Sequence, residues 1–403
     1  MPTLFQINAV CNSGSTGRIA EDIGKLVQKN GWQSYIAFGR WSNSSSSVLY
    51  KIGNRVDLLM HVLYTRLFDK HGFASKRSTR ELVKVIERVR PDIIHLHNIH
   101  GYYLNMEILF DYLSLSGIPV VWTLHDCWAM TGHCVHFQDI GCEKWLKGCS
   151  NCPNKHGYPA SLLKDRSKKN YLQKKELFTS ARNLTVVSVC HWLDGVVGQS
   201  FLSSAKREVI VNGIDLDIFT PRVHREEMRV QMGLNSCFMI LAVATGWNKT
   251  KGLDDILRLR ELLSHQEVIV VVGLTKRQIK NLPSGIIGIE KTENVHRLAD
   301  LYSMADVLIN PTYQDTLPTV NMESLACGTP VVAYDTGGCK DIVDRDTGYI
   351  VERGDLNSML VSITRIRHKG KSHYEAACRQ RAVDCFDRAE RYLDYLKLYD
   401  RLL

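Results

Sequence analysis

The residues Val307-Leu-Ile-Asn-Pro-Thr-Tyr-Gln-Asp-Thr-Leu-Pro-Thr-Val-Asn-Met-Glu323 decide how this 403-residue chain is interpreted. Residues 307–311 form a short apolar run typical of a buried strand. A helix is predicted to begin near Pro318, because proline suits the first helical position. The loop between them, residues 312–317, then follows the carboxyl end of a strand. A helix start at that place offers N–H groups and the positive end of the helix dipole, both of which suit a phosphate.

Two carboxylates flank this helix start. Asp315 precedes the turn and Glu323 lies more than one turn into the helix. Carboxylates accept hydrogen bonds from paired hydroxyls, so the two could hold sugars on either side of a diphosphate. The alternative is a helix-capping aspartate and a solvated glutamate. Because Pro318 has no N–H, the phosphate donors are expected to be its neighbours Thr316, Leu317, Thr319 and Val320.

Length and composition indicate a globular protein of two domains. The chain is 44% hydrophobic and 23% charged, which is ordinary globular composition. Residues 1–212 hold 26 Lys and Arg against 16 Asp and Glu, a balance of +10, whereas the remainder holds 25 against 26. The basic half suits an anionic membrane or a phosphorylated substrate, although lysines that simply solvate helices explain it equally well. Without a membrane span or signal-peptide pattern, we expect a cytoplasmic protein, peripheral on the inner face of the membrane.

Short apolar strands alternate with amphipathic helices along the whole chain. The predicted strands cover residues 4–10, 33–38, 92–97, 118–125 and 184–189, a strand starting at 209, and then 238–244, 267–273, 307–311 and 330–334. This alternation predicts an α/β protein with parallel sheets covered on both faces. We therefore predict two tandem doubly wound, Rossmann-like domains, residues 1–210 and 211–385, with a helix at 386–403 packing at the end. Ligands are expected in the cleft that the carboxyl ends of the strands face.

Four segments together resemble the retaining glycosyltransferases of family 4, which have the two-domain GT-B fold. They are the Asp315–Glu323 element with Ala326-Cys-Gly-Thr-Pro-Val-Val, then Thr336-Gly-Gly-Cys-Lys-Asp-Ile-Val, Asp346-Thr-Gly-Tyr-Ile-Val and Asn212-Gly-Ile-Asp-Leu-Asp-Ile-Phe. The resemblance implies that the first acid contacts the transferred sugar and that Glu323 contacts the ribose of the nucleotide. The family has glutamate at the first position, and Asp315 is one methylene shorter.

A basic loop completes the predicted donor site. Thr245-Gly-Trp-Asn-Lys-Thr-Lys-Gly252 resembles the family loop in which an arginine and a lysine hold the diphosphate. The resemblance gives Lys251 the lysine role, with Lys249 as a second charge. The arginine is absent, since Trp247 and Thr250 stand in its place. Lysine cannot grip a phosphate bidentately, so the geometry must differ; taken alone, the loop would be read as a solvated turn.

The acceptor side is predicted from the first half of the chain. In Thr123-Leu-His-Asp-Cys-Trp, His125 matches the family histidine that contacts the transferred sugar, and Asp126 is expected beside it. Residues 92–105 resemble the branch that builds surface polysaccharides, such as colanic-acid transferases. Acceptor-side residues are expected to be Gly14, Gly17, His97, Asn98 and His100. A purely structural role for the strand-end histidines is the alternative.

The resemblance implies a retaining hexosyltransferase that uses a UDP- or GDP-sugar and a glycan acceptor, lipid-linked, for surface polysaccharide synthesis. In that mechanism the departing diphosphate takes the acceptor proton, and no catalytic metal is needed. His125, Asp315 and Lys251 are the predicted catalytic residues. The alternatives are a catalytically silent sugar-nucleotide-binding protein, a nucleotide-sugar epimerase, and a zinc-braced nucleic-acid-binding protein. Nucleic acid is not expected as a partner, because the chain shows no recognition helix or basic strand interleaved with aromatic residues.

Two further segments carry hypotheses of their own. Residues 132–158 form a cysteine-rich insertion with Cys134, Cys142, Cys149 and Cys152. Its Cys-x-x-Cys spacing in a cytosolic chain favours a structural zinc over disulfides, with four buried free thiols as the alternative. Residues 161–178 are predicted to form a basic amphipathic helix, which either lies on anionic lipid or packs on its own sheet.

Overall fold

The computed structural model describes residues 1–403 and divides them into two compact units. The first unit is Met1–Val211 with Tyr392–Leu403, and the second is Asn212–Arg391. Each unit contains one sheet, in which every pair of neighbouring strands is parallel. The predicted α/β architecture of two doubly wound domains is confirmed.

The first unit has a seven-stranded sheet in the order β3-β2-β1-β4-β5-β6-β7. Its strands are β1 Thr3–Asn8, β2 Gln33–Phe38, β3 Val48–Lys51, β4 Ile93–Leu96, β5 Val120–Leu124, β6 Leu184–Ser188 and β7 Lys206–Val209. Its helices are α1 Gly14–Lys29, α2 Arg55–Phe68, α3 Lys76–Val89, α4 Met106–Ser116, α5 Lys144–Lys147, α6 Ser167–Ser180 and α7 His191–Gln199. The central strands β1, β4, β5 and β6 are buried along their whole length, as expected where helices cover both faces.

The second unit has a six-stranded sheet in the order β10-β9-β8-β11-β12-β13. Its strands are β8 Phe238–Val243, β9 Glu267–Val272, β10 Ile286–Ile289, β11 Val307–Asn310, β12 Val331–Tyr334 and β13 Gly348–Val351. The remaining helices are α8 Arg225–Gln231, α9 Leu253–Leu262, α10 Lys276–Lys280, α11 Val295–Met304, α12 Thr319–Ala326, α13 Cys339–Ile342, α14 Leu356–Lys369, α15 Ser372–Phe386 and α16 Arg388–Leu402. None of the sixteen helices combines the length and the apolar content needed to cross a bilayer.

The last helix, α16, completes the core of the first unit. Tyr392, Tyr395 and Tyr399 share one face at spacings of three and four, and they pack with apolar residues of α1, β1, β4, β5 and β6. Two of the hydroxyls bond to the sheet. Tyr399 Oη lies 2.6 Å from His95 Nδ1, and Tyr395 Oη lies 3.1 Å from Thr123 Oγ1. The end of the chain is thus part of the first unit's interior.

The edges of both sheets differ from the prediction. No strand was predicted at β3, β10 or β13, and a strand was predicted to start at residue 209, where β7 ends. All four are four-residue strands at the ends of their sheets. An edge strand needs no continuous apolar run because one side of it is unpaired; β3 is largely exposed, and β7 begins with Lys206 and Arg207.

Five histidines of the first unit are held neutral by burial. Burial lowers the pKa of His61 and His95 to about 3 and that of His125 to about 4. His71 and His97 are also shifted well below the ordinary value, first by burial and then by neighbouring histidines. An imidazole removed from water resists protonation, since the charged form loses its solvation.

The shifts predict that stability falls in mild acid. A histidine whose folded pKa is depressed leaves stability unchanged above about pH 6.5, its unfolded pKa. Below that value the unfolded chain binds protons that the folded chain cannot, which costs about 1.4 kcal/mol per pH unit for each histidine until the folded pKa is reached. Chemical unfolding at pH 7, 6 and 5 should therefore show steadily lower stability of the first unit. Substitution of the exposed His265 by Asn should leave this slope unchanged, and equal stability at pH 7 and pH 5 would contradict this prediction.

Candidate active site

The loop after β8, residues 244–252, carries the predicted phosphate-binding lysines. The side chain of Asn248 fixes its turn: Oδ1 accepts from Lys251 N at 3.0 Å and from Thr250 Oγ1 at 2.7 Å. Gly252 has φ +79°, and a Cβ there would lie 2.1 Å from the carbonyl oxygen of Pro311. Glycine is thus required where this loop meets the loop that follows β11.

The loops after β8 and β11 are joined by backbone and side-chain bonds. Tyr313 N donates to Thr250 O at 2.8 Å. Lys251 Nζ lies 2.7 Å from Asp315 Oδ2, and the two side chains are 33% and 26% exposed. Asp315 Oδ1 also accepts from Thr316 N at 2.9 Å. Two residues predicted to act separately on the donor are therefore an ion pair at the ends of adjacent strands.

A third loop, after β12, fixes the backbone of Asp315 and Thr316. Gly337 has φ +53°, and a Cβ on it would lie 2.1 Å from Asp315 O. Gly338 N donates to Thr316 O at 2.8 Å, and Thr336 Oγ1 donates to Thr312 O at 2.8 Å. We call these three segments, residues 244–252, 311–318 and 335–338, the strand-end loops.

Helix α12 begins at Thr319, with Pro318 in extended conformation before it and no side chain capping the first turn. The helix thus begins one residue later than predicted. Thr316 and Leu317 are buried, whereas Thr319 and Val320 are half-buried. Glu323 lies in the second turn, and its Oε2 accepts from Tyr302 Oη at 2.8 Å. The first turn therefore places backbone N–H groups, with no competing side-chain cap, beside Asp315.

The other residues of the basic loop differ in exposure. Lys249 is exposed, and Trp247 is buried with its Nε1 donating to Val272 O at 2.8 Å. Trp247 therefore braces the loop against β9.

One carboxylate beside these loops, Asp255, was not predicted from the sequence. Asp255 Oδ2 accepts from the hydroxyls of Tyr313 at 2.7 Å and Tyr334 at 3.0 Å. Burial and the bond to Asp255 raise the pKa of Tyr313 to about 12. Asp255 appears in the sequence only as one of two acids in the first turn of α9, so nothing in the sequence marks this role.

In the first unit, Asp126 and His100, which follow β5 and β4, form a hydrogen-bonded pair. Asp126 Oδ2 lies 2.7 Å from His100 Nε2, and Asp126 Oδ1 accepts from Trp128 N at 2.9 Å. Burial alone would raise the pKa of Asp126, but the charge and hydrogen bond of His100 outweigh it and hold that pKa at about 2. Asp126 is ionised at neutral pH and fixes the imidazole of His100.

Behind this pair lies a row of imidazoles. His125 Nε2 is 3.3 Å from His97 Nδ1, and His97 Nε2 is 3.0 Å from Gln6 Oε1. His97 is 1% exposed. His97 therefore supports His125 from the interior and does not itself line a surface. Of these histidines, His125 and His100 remain as candidates for contact with an acceptor.

The glycine loop after β1 is fixed to the same edge of the sheet. Gly17 O accepts from Asn12 N at 2.9 Å, and a Cβ on Gly17 would lie 3.0 Å from Val10 Cγ2. Gly14 has φ +61°, with no atom within 4 Å of an added Cβ. Asn98 N donates to Asn8 Oδ1 at 3.2 Å, which joins the ends of β4 and β1.

An aromatic cluster that was not predicted from the sequence packs beside His100. Tyr158 lies edge-on to Tyr102, with ring centroids 6.0 Å apart, and to His71 at 5.8 Å. The ring of Trp128 is 5.2 Å from that of His100. Tyr158 belongs to the cysteine-rich insertion, so this insertion contributes to the surroundings of the His100–Asp126 pair.

The four cysteines of the insertion line one small pocket together with Phe137 and Trp145. All are free thiols. A hydrogen bond from the Cys134 thiol lowers the pKa of Cys152 to about 7, against the opposing effect of burial. No group of three or more His, Cys, Asp or Glu side chains is arranged to hold a metal ion, so the zinc hypothesis stays a prediction.

The chain is similar in sequence to several known proteins. Residues 16–218, half of the chain, match the family model described as Glycosyltransferase Family 4, and residues 237–368 match the model described as Glycosyl transferases group 1. The putative colanic acid biosynthesis glycosyl transferase WcaC of Escherichia coli K12 is 24% identical over 372 residues, 88% of each chain. A D-inositol 3-phosphate glycosyltransferase of Xylanimonas cellulosilytica is 32% identical over 165 residues, 36% of this chain and 39% of that protein.

Solved structures with the same fold include sucrose-phosphate synthase of Thermosynechococcus elongatus, with a TM-score of 0.71 and 16% identity, covering 100% of this chain and 99% of that one. Anabaena Alr3699/HepE in complex with UDP has a TM-score of 0.68 and 14% identity, with both chains covered completely. At 14–16% sequence identity, these similarities show a shared fold only.

The ion pair of the strand-end loops should contribute little to stability. Because Lys251 and Asp315 are partly exposed, replacing either by Ala should change the free energy of unfolding by less than about 1 kcal/mol. Gly337→Ala should cost more, since its Cβ meets a backbone oxygen at positive φ. Gly246→Ala, which has open space around an added Cβ, is the matched control. Urea unfolding of the second unit provides the measurement, and a loss of several kcal/mol on Lys251→Ala would show that the pair is structural.

Proposed function

We propose that this chain, which belongs to glycosyltransferase family 4, moves a hexose from a UDP- or GDP-sugar to a lipid-linked glycan acceptor in surface polysaccharide synthesis, with retention of anomeric configuration. Glycosyl transfer follows from the family. The polysaccharide branch is supported by the similarity to WcaC, whose name places it in colanic acid biosynthesis. The nucleotide part of the donor is supported by HepE, which was solved with UDP and with UDP-glucose.

The observation that carries the proposal is the meeting of Lys251, Asp315 and the start of α12 at the strand-end loops. A diphosphate brings two to three negative charges, and an ammonium beside helix N–H groups is a fitting counter-charge. Asp315 holds the ammonium 2.7 Å away. In the proposed complex Lys251 bonds the diphosphate, and the Asp315 carboxylate turns to hydroxyls of the transferred sugar.

Glu323 is assigned to the ribose. Its carboxylate is oriented by the Tyr302 hydroxyl, whose burial is complete, so the side chain is fixed before the donor binds. A fixed carboxylate accepts from two vicinal hydroxyls with little loss of side-chain entropy. Glu323 therefore selects a ribonucleotide carrier over a free sugar phosphate.

The proposed chemical step takes place on one face of the sugar. The bond from the anomeric carbon to the diphosphate breaks, and the acceptor oxygen bonds to that carbon on the same side. The departing phosphate oxygen takes the acceptor proton. Lys251 and the N–H groups of α12 stabilise the charge that develops on the leaving group. His125 is neutral at pH 7 because its pKa is about 4. Since His97 Nε2 donates to Gln6 Oε1, His97 Nδ1 accepts from His125 Nε2, and His125 Nδ1 remains to accept from a sugar hydroxyl.

A catalytically silent sugar-nucleotide-binding protein is the second candidate. It is favoured by the missing family arginine, whose place is taken by the buried Trp247 and by Thr250. Such a protein would bind a donor through the same strand-end loops and transfer nothing. Donor binding and transfer must therefore be measured separately.

The binding test is a thermal-shift panel of UDP-, GDP- and ADP-hexoses against the free nucleotides and a short DNA duplex. We expect a selective rise in Tm with one sugar nucleotide. Glu323→Gln should abolish most of that rise, whereas Glu293→Gln, an exposed glutamate of the same unit, should retain it. A shift with DNA alone, or none with any donor, would contradict the proposal.

The transfer test uses the donor that the panel selects and a lipid-linked glycan extract. Lys251→Ala should lower kcat by about 100-fold or more, as expected for loss of a charge that stabilises the leaving group. Lys249→Ala should have a smaller effect, and Lys291→Ala, also exposed, should have none. The anomeric configuration of the product, read by NMR, should match that of the donor. Binding without transfer supports the silent protein, and epimerised donor supports an epimerase.

A further inference from the structure

Helix α2 buries polar side chains and exposes apolar ones. Its two buried residues are His61 and Thr65, both polar. Its exposed residues are mostly apolar: Val56 is 67% exposed, Leu59 66%, Met60 45%, Leu63 47%, Tyr64 40% and Phe68 37%. A helix on a water-facing surface normally shows the opposite arrangement. A contiguous apolar face of this kind marks an interaction surface.

The polar side is tied into the fold and cannot exchange with the apolar side. His61 Nδ1 lies 2.8 Å from Ser75 Oγ, and His61 Nε2 accepts from Gly72 N at 3.1 Å. Thr65 Oγ1 donates to His61 O at 2.9 Å. Rotating the helix to bury its leucines would break both hydrogen bonds of the His61 ring, to Ser75 and Gly72. The exposed apolar face is therefore a fixed feature of the unit.

A second segment enlarges this face. Leu162 and Leu163 are 59% and 67% exposed. Leu162 N donates to Arg66 O at 2.7 Å, and Lys164 N donates to Leu67 O at 3.3 Å. The two leucines therefore extend directly from the carboxyl end of α2. We call the exposed side of α2 with residues 162–164 the apolar face.

The charges beside the apolar face are basic. Lys70 Nζ lies 5.9 Å from the ring centroid of Tyr64, and Lys164 Nζ lies 5.6 Å from that of Phe68. Residues 48–80 hold seven Lys and Arg against two Asp and Glu. Both acids are engaged: Asp57 closes the capping box of α2, and Asp69 is completely buried against His133. Exposed leucines bordered by lysines, whose ammonium groups here lie within 6 Å of aromatic rings, are the pattern of a helix lying in a membrane interface.

We propose that the apolar face inserts into the interfacial region of an anionic lipid bilayer. The partner is chosen by charge, since a basic border selects anionic headgroups. The proposal deepens the proposed function and rests on it in one respect, namely that the acceptor is lipid-linked. The inner side of α2 supports this link: the ring of His61 lies 6.0 Å from Tyr102, which packs against Tyr158 beside His100. A continuous series of ring contacts thus joins the inner side of α2 to the predicted acceptor residue His100.

The membrane surface proposed here differs from the one predicted from sequence. The basic helix forms as α6, from Ser167, but Lys174 on it is buried and donates to Trp128 O at 2.7 Å and Thr131 O at 3.0 Å. Its buried residues include Tyr171 and Phe178. Helix α6 therefore packs on its own unit, which was the alternative reading of that segment.

The test is sedimentation of the whole chain with vesicles, without any sugar nucleotide. Vesicles of equal parts phosphatidylcholine and phosphatidylglycerol should retain the protein, and vesicles of phosphatidylcholine alone should retain far less. The double variant Leu59→Gln/Leu63→Gln should weaken partitioning by about tenfold or more, because two exposed side chains lose their transfer free energy without affecting the core. Lys70→Gln/Lys164→Gln should weaken it only on anionic vesicles.

Two controls separate this face from others. Leu115→Gln removes an 87% exposed leucine of α4 and should leave vesicle binding unchanged. Lys169→Gln/Lys175→Gln removes exposed charge from α6 and should also leave it unchanged. Loss of binding on the α6 variant, with binding retained on the α2 variant, would overturn the proposal.

Sedimentation velocity without lipid tests the other occupants of the face. If the chain is a dimer that Leu59→Gln/Leu63→Gln converts to a monomer and no vesicles are bound, the face joins two copies and the proposal is wrong. The donor thermal shift should be the same in all of these variants. Vesicle binding without donor binding would therefore contradict only the proposed function. Donor binding without vesicle binding would contradict only the proposed role of the apolar face.

Discussion

The loops that carry the site stand where parallel strands end, because a parallel sheet covered by helices leaves little other room for polar groups. The strands carry apolar side chains on both faces, and a polar group among them would be buried without a partner. In the second unit the loops after β8, β11 and β12 therefore meet at one edge. In the first unit the loops after β1, β4 and β5 do the same. The chemistry of this chain is thus confined by the packing of its sheets.

The histidines His95, His97 and His125 are polar groups that lie in strand β4 or directly after strands β4 and β5. Their contacts show how buried polar side chains are tolerated there. His95 bonds to Tyr399 and Thr123, so the last helix of the chain satisfies an imidazole in the sheet. Burial keeps the histidines neutral, and neutral imidazoles can hydrogen-bond in series without burying charge. The row of histidines holds the side chain of His125 in place. Because its imidazoles must stay neutral, the first unit is sensitive to their protonation in acid.

The strand-end loops of the second unit show how one altered residue is accommodated. Lys251 pairs with Asp315, and this shorter acid also bonds its own backbone at Thr316 N. An aspartate in this place holds the lysine in position instead of reaching farther out. Gly252 and Gly337 make this possible, because each lets a neighbouring loop approach a carbonyl oxygen more closely than any Cβ permits.

The sequence by itself determined the two-domain α/β fold, the central strands and the loops that carry the site. Buried strands need continuous apolar runs, and those runs are visible in the chain. It did not determine the edge strands. These pair on one side only and need no continuous apolar run, so the sequence does not mark them. Only the tertiary structure decided that Lys251 meets Asp315, that His100 meets Asp126, and that α2 turns its leucines outward. Contacts between residues far apart in sequence depend on how loops and helices pack, and α2 in particular follows from bonds to His61 that no periodicity reveals.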